Sequence, residues 1–249
     1  MSQELGDAEL TRPGAPPTTV RLALPTGRRV AFVAAGLVAA LVVLGILAAV
    51  VRTAGWVFPG SEGLVALFHL DSEFNVPSIA SVLGLTACGA LLLLTGACLR
   101  ARDLPDATRW RWLGLGFVLL AFDEGARIHE RANTVVNELG ISLAALRFGW
   151  VILGAVAVLA LLPIYLPAVL RMPADLRLLA ILSAALYVGG AVGVEIVGGL
   201  LYDRGTDDPL YQGAVLVEET GEMAGIALFF ATLWSWWRRI APRTELLHA

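Results

Sequence analysis

Long apolar stretches alternate with short polar ones along most of this chain. The apolar runs lie at about residues 30–51, 77–99, 112–130, 149–170, 178–201 and 214–237. Each is close to the roughly 20 residues that an α-helix needs to cross the hydrocarbon core of a bilayer. The pattern therefore predicts an all-α fold, a polytopic bundle of six transmembrane helices over residues 29–238.

The two ends of the chain are polar. Residues 1–28 combine four prolines with acidic side chains, a composition typical of a flexible segment, so we predict a disordered tail there. A second, short tail is predicted at 239–249. The leading segment is too long and too acidic for a cleavable signal peptide, so the first span is predicted to remain as a signal anchor.

The composition excludes an ordinary soluble protein. Hydrophobic residues make up 57% of the chain and charged residues 16%, and the mean hydropathy is +0.75. Soluble domains are about 45–50% apolar and about 25% charged. The tryptophans fall near the predicted helix ends, as in the aromatic belts at membrane interfaces. We therefore expect the lipid bilayer to be the main partner.

The arginines cluster in alternate loops. They precede span one and fill the loops after spans two, four and six, whereas the other loops are acidic. Because basic loops stay in the cytoplasm, both termini are predicted to be cytoplasmic. The expected location is a bacterial plasma (inner) membrane, with several passes.

Several protein classes are excluded by residue usage. The chain has no lysine, which rules out a Schiff-base retinal protein and a pyridoxal phosphate enzyme. The net charge of −3 gives no reason to expect a nucleic-acid partner. Cys88 and Cys98 are about 15 Å apart on one predicted helix, too far to form a disulfide, and are predicted to be packing residues.

Acidic residues occur where the apolar helices should still be crossing the membrane. The stretch AFDEGARIHE directly follows WLGLGFVLL in span three, and VEETGE opens span six. The acids are Asp123, Glu124 and Glu130 on span three, Glu195 on span five, and Glu218, Glu219 and Glu222 on span six. With both termini inside, all of them lie in the outer half of the bilayer. One such carboxylate costs on the order of 2.5–3.5 kcal/mol, so a group of them predicts a functional site.

On an ideal helix, the polar residues of span three lie on two different faces. Asp123, Arg127 and Glu130 form one stripe, with Glu124 at its edge, whereas His129 projects about 140° away from Asp123 on an ideal helix. Either the helix loosens near Gly125 or His129 faces elsewhere. The spacing matches neither the HExxH zinc motif nor the Glu-x-x-His of di-iron bundles.

Spans five and six complete the expected site. Glu218, Glu219 and Glu222 share an arc of about 100°, and Glu195 lies on a stripe with Tyr187 and small residues. A shared cation or proton would hold so many acids together. We therefore expect Asp123 or Glu124 to lie within about 8 Å of Glu219 or Glu222.

A second oxygen-rich segment, FHLDSEFNVPS, is predicted outside the membrane. It offers His69, Asp71 and Glu73 as further ligands or partners of the carboxylates, and His69 could equally be an ordinary interfacial residue. The D-x-E-x-N alternation resembles an EF-hand loop but lacks the glycine and the closing glutamate. The preceding GLVALFHL is predicted to form a short interfacial helix.

The leading hypothesis is a carboxylate and histidine metal site. Its candidate ligands are Glu124, His129, Glu219 and Glu222. Further ligands or supporting residues are Asp123, Arg127, Glu130, Glu195, Glu218, His69, Asp71 and Glu73. Mixed carboxylate and imidazole ligation suits iron, manganese or zinc. Such a site could act on a lipid-like substrate from the outer leaflet, by hydrolysis with activated water or by oxidation.

Two alternatives stay open. Acidic chains also form proton or cation relays, which would make the protein a coupled transporter or channel for a cationic ligand. The inner halves of the spans offer no acid or base for a complete pathway, although Pro163 and Pro167 could mark a hinged helix. The third hypothesis is a structural subunit in which Arg127 and Arg131 pair with the acids.

Overall fold

The structure, a computed structural model, describes residues 19–20, 24–72, 74–129, 131, 138, 149–241 and 246–247. The described helices are α1 (Gly27–Thr53), α2 (Ser61–Phe68), α3 (Val76–Ala101), α4 (Ala107–Ala126), α5 (Trp150–Leu170), α6 (Ala174–Val188), a π-helix (Gly189–Val194), α7 (Glu195–Leu201), a 3₁₀-helix (Tyr202–Arg204) and α8 (Pro209–Ile240). Strands β1 (Thr19–Val20) and β2 (Leu246–Leu247) form one antiparallel pair. The remaining parts of the predicted tails at 1–28 and 239–249 lie largely outside the described residues.

Four segments of the described chain are long and apolar enough to cross a membrane. They are Gly27–Thr53, Val76–Ala101, Trp150–Leu170 and Ala174–Arg204. The prediction of an all-α fold with helices long and apolar enough to span a membrane is thus confirmed. The other two predicted spans correspond to α4 and α8, whose charged residues lower their mean hydropathy.

Helix α8 lies at the centre of the bundle, with α1, α3 and α6 packed along it. It begins behind an N-cap, where the Asp208 side chain accepts a hydrogen bond from the Leu210 backbone N–H at 2.9 Å. Near its other end, Trp234 Nε1 donates to the Pro25 carbonyl at 2.9 Å and so ties α8 to the start of α1. Arg239 pairs with Asp175 at the start of α6.

Helices α3 and α4 approach each other through glycines. A Cβ atom added to Gly89 would lie 2.9 Å from the Gly114 carbonyl oxygen, and the reverse distance is also 2.9 Å. Small residues at such crossings let two helix backbones pack in van der Waals contact within a membrane. The buried Trp110 then reaches α8, where its ring meets that of Trp236 edge to face at 4.8 Å.

Several local predictions are confirmed. The short helix predicted over GLVALFHL is α2, and its position at the interface stays a prediction. At the start of α3, Asn75 and Ser78 form a capping box, and Pro77 lies in the first turn. Cys88 is fully buried in the packed core. Helix α5 is continuous through Pro163 and Pro167, so the irregularity occurs instead in the fifth predicted span, at the π-helix.

Candidate functional site

The end of α4 brings a histidine back onto an aspartate of the same helix. α4 ends at Ala126, and Arg127 has a left-handed backbone conformation, with φ 56° and ψ 43°. A left-handed residue after the last helical turn changes the direction of the chain. As a result, the Asp123 carboxylate accepts hydrogen bonds from the His129 backbone N–H at 2.9 Å and from His129 Nδ1 at 3.0 Å. Of the two alternatives for His129, the interrupted helix is therefore correct. The direction of about 140° away from Asp123, which assumed an ideal helix beyond Ala126, was wrong.

Trp150, the first residue of α5, connects this turn to the fifth span. Its ring centroid lies 5.2 Å from that of His129, and its indole Nε1 donates a hydrogen bond to Glu195 Oε1 at 3.2 Å. The sequence predicted Trp150 only as a member of the aromatic belt. Its bond to a carboxylate had no sequence signal, because the partner, Glu195, lies 45 residues away in the chain.

Glu195 starts α7 directly after the π-helix Gly189–Val194. Single π-turns in longer helices frequently occur at functional sites, because they rotate the following residues relative to a regular helix. The Glu195 carboxyl group is within hydrogen-bonding contact of Glu218 on α8. Two carboxyl groups in such contact are stable when they share a proton, since two adjacent negative charges repel.

Close backbone packing sets the separation between the π-helix and α8. A Cβ atom on Gly190 would lie 2.8 Å from the Glu218 carbonyl oxygen and 3.2 Å from Glu222 Cγ. On the next turn, a Cβ atom on Gly225 would lie 2.7 Å from the Tyr187 backbone nitrogen. Only glycine fits at these two points, and their contact holds the acids of α8 against the fifth span.

Tyr187 is the common neighbour of acids from two helices. It interacts electrostatically with Asp123 and Glu124 on α4 and with Glu219 and Glu222 on α8. The sequence had placed Tyr187 on the stripe that carries Glu195. Acids of both helices therefore lie within electrostatic range of the same phenol, and the expected distance of about 8 Å between their carboxylates stays a prediction.

We call these six acids the carboxylate cluster: Asp123, Glu124, Glu195, Glu218, Glu219 and Glu222. The described residues that follow the two α4 acids include three basic side chains, Arg127, His129 and Arg131, which is fewer than the six acids of the cluster. Within the described ranges, no three His, Cys, Asp or Glu side chains already converge as a metal-holding group. A cation bound here would have to draw the glutamates toward a common point.

The loop between α2 and α3 forms a separate polar network. His69 is fully buried and contacts Arg52 through both ring nitrogens, at 3.5 Å for Nδ1 and 3.3 Å for Nε2. Burial and the Arg52 charge lower the pKa of His69, although Gln212 and Asp207 act in the opposite direction. His69 is thus neither an exposed interfacial residue nor a direct partner of the cluster in this arrangement.

Asp71 continues this network toward α8. Its carboxylate accepts a hydrogen bond from the Tyr211 hydroxyl at 3.1 Å. Burial raises the pKa of Asp71, while Tyr211 and Arg52 act to lower it. The predicted site residues Glu73 and Glu130 lie outside the described residues.

Comparison with known proteins gives one family. Residues 29–236 match the family described as "Domain of unknown function (DUF8692)", which covers most of the chain. No curated protein and no solved structure matches the chain.

Proposed function

The chain belongs to the DUF8692 family, and we propose that this member is a six-span membrane protein that binds a divalent cation at its carboxylate cluster. The observation that carries the proposal is the pair of hydrogen bonds between Asp123 and His129. Histidines that bind metals usually donate their other ring N–H to a carboxylate, which fixes the tautomer and the ring orientation. In neutral His129, a proton on Nδ1 leaves the lone pair on Nε2 for a cation.

The proposed ligands are His129 with Glu124, Glu219 and Glu222, and Asp123 is the orienting group. Glu195 and Glu218 are the further acids of the cluster. This donor set suits iron, manganese or zinc. Such a metal would supply an activated water or a redox centre for a lipid-like substrate that enters from the adjacent leaflet. The excess of acids supports the proposal, because a bound cation would offset the repulsion between them.

Elemental analysis of the purified protein tests metal binding directly. We expect near-stoichiometric iron, manganese or zinc in the wild type after dialysis, and strong loss in His129→Ala. Glu62→Gln is the matched control, because Glu62 is an exposed acid on α2. Wild-type protein without metal after incubation with each of the three cations would exclude the proposal.

A second function, proton or cation coupling, is favoured by one contact. Glu195 and Glu218 lie close enough to share a proton, and shared protons are a feature of membrane relays. Proteoliposomes with a pH-sensitive dye inside would show proton uptake that Glu218→Gln abolishes. If dye fluorescence is the same for protein-containing and empty liposomes under every cation gradient, this function is excluded.

The topology belongs to the same proposal. We propose six spans in a bacterial plasma membrane, with both termini on its cytoplasmic side. The arginines in alternate loops support this topology. In a variant lacking the native cysteines, Asp207→Cys should be labelled in intact cells, and Arg102→Cys only after permeabilisation. Both positions are exposed in the structure. The reversed labelling pattern would contradict the orientation.

A further inference from the structure

An apolar groove of about 690 Å³ runs along one face of α1, between α3 and α8. One wall begins at Pro25, just before α1, and continues along α1 from Arg29 to Leu41. Residues four apart on a helix share one face, so this wall is a single face of α1. Helices α1 and α3 each pack on α8, and the groove lies between them.

Small side chains give the groove its depth. Its walls include Ala34 on α1, Ala80, Gly84 and Ala87 on α3, and Ala227 on α8. At the crossing of α3 and α4, by contrast, small residues are covered by direct backbone contact. Between α1 and α3, none of the described helices fills the space that the small residues leave, so a ligand can occupy it.

The length of the groove corresponds to one leaflet. From Arg29 to Leu41, twelve steps along α1 span about 18 Å. One leaflet contributes about half of the roughly 30 Å hydrocarbon core. The groove thus has the length of a single acyl chain whose headgroup lies at the level of Arg29.

The end of the groove at the start of α1 is positively charged and fixed in place. Arg29 lines the groove there, whereas the neighbouring Arg28 lies over the Phe32 ring, 5.4 Å from its centroid. The hydrogen bond from Trp234 to the Pro25 carbonyl holds this end against α8. A cationic side chain at the end of an apolar groove is complementary to an anionic lipid.

We propose that the groove binds one acyl chain of an anionic phospholipid, with the lipid phosphate at Arg29. The site is distinct from the carboxylate cluster. Met223 lines the groove, whereas the adjacent Glu222 packs against Gly190 on the fifth span. The repulsion between a phosphate and the acids keeps the headgroup away from the cluster.

Photo-crosslinking tests the proposal. The full-length protein is reconstituted in phosphatidylcholine vesicles with a small fraction of phosphatidylglycerol that carries a photoreactive group on one acyl chain. We expect labelled peptides from the groove faces of α1, α3 and α8. Ala34→Trp fills the groove and should lower labelling by about tenfold, or about 1.4 kcal/mol. Ala35→Trp, one position outside the groove, should leave labelling unchanged.

A matched pair of arginine variants tests the contact with the lipid headgroup. Arg29→Gln should reduce the preference for phosphatidylglycerol over a phosphatidylcholine probe by about fivefold, since a basic residue near the surface contributes about 1 kcal/mol. Arg28→Gln should not. If Ala34→Trp fails to fold, Ala87→Phe fills the groove from α3, with the exposed Ala90→Phe as its control. Equal labelling of all lipid-facing helices, or labelling that Ala34→Trp and Ala87→Phe leave unchanged, would overturn the proposal.

Discussion

The Asp123 carboxylate holds His129 at two points, the backbone N–H at 2.9 Å and the ring Nδ1 at 3.0 Å. One side chain therefore fixes both the path of the chain after α4 and the orientation of the imidazole. This double contact depends on Arg127, whose left-handed conformation costs a non-glycine residue roughly 1–2 kcal/mol. Such strain persists where the surrounding structure compensates for it.

Replacing Asp123 should weaken the proposed cation site more than it weakens the fold. In Asp123→Asn, the amide oxygen still accepts a hydrogen bond from the His129 backbone, but the negative charge that orients the ring is lost. Loss of such an orienting group typically lowers metal affinity about 10–100-fold. Isothermal titration with manganese and with zinc would measure this, with Glu62→Gln as the control. An affinity equal to that of the wild type would show that Asp123 does not orient a ligand.

Substitutions of Glu222 and of Arg127 should distinguish a cluster that holds a cation from a purely structural network. Glu222→Gln keeps the side-chain shape but removes a charge that a hard cation needs, so bound metal should decrease while folding is retained. Arg127→Gln removes one positive charge near the acids of α4, which in a purely structural network costs at most about 3–5 kcal/mol, the value for a fully buried charge left unpaired. A bound cation would reduce that loss.

Melting temperatures with and without chelator separate these two cases. A metal site predicts that chelator destabilises the wild type and has little further effect on Glu222→Gln. A structural network predicts that Glu222→Gln melts higher, because like-charge repulsion is relieved, that Arg127→Gln melts lower, and that chelator changes neither. The second pattern would exclude the cation site.

The sequence predicted the broad features of the fold because run length and composition are sufficient for them. Apolar stretches of about 20 residues predict membrane helices whatever packs against them. It could not predict that Trp150 would bind Glu195, or that His129 would turn back onto Asp123. Ideal helical phase assumes an uninterrupted helix, whereas these contacts depend on the left-handed Arg127 and on a π-helix. The paired glycines at 189 and 190 were the one available signal for that irregularity.

The buried His69 should make the protein less stable in mild acid. Its pKa is lowered mainly by burial, with a contribution from Arg52, against the opposing effects of Gln212 and Asp207. Above pH 6.5, the ring is neutral in both the folded and the unfolded chain and has no effect on pH dependence. As the pH falls below 6.5, the unfolded chain takes up a proton that the folded chain does not, until the pH reaches the lowered pKa. The free energy of unfolding therefore decreases over that window, by at most about 1.4 kcal/mol per pH unit.

His69→Gln should remove this decrease, which denaturant unfolding at a series of pH values would detect. Asp71 acts in the opposite sense because burial raises its pKa. On acidification, the folded chain protonates Asp71 before the unfolded chain does, which adds stability as the pH falls toward 3.8. Asp71→Asn is therefore the matched variant and should make the acid destabilisation steeper. Identical pH profiles for the wild type and His69→Gln would contradict the role of His69.

The contact between Gly190 and α8 gives the sharpest test of how the cluster is built. A Cβ atom at Gly190 would lie 2.8 Å from the Glu218 carbonyl oxygen, which belongs to a helix backbone and cannot move aside alone. Gly190→Ala should therefore separate the π-helix from α8 and destabilise the protein by about 1–3 kcal/mol. At the neighbouring Gly189, a Cβ atom would meet nothing within 4 Å. Gly189→Ala should be neutral, or stabilising by about 0.5–1 kcal/mol through reduced backbone freedom in the unfolded chain. Thermal unfolding in detergent would compare the two, and equal melting temperatures would mean that the two segments do not pack as closely as the structure has them.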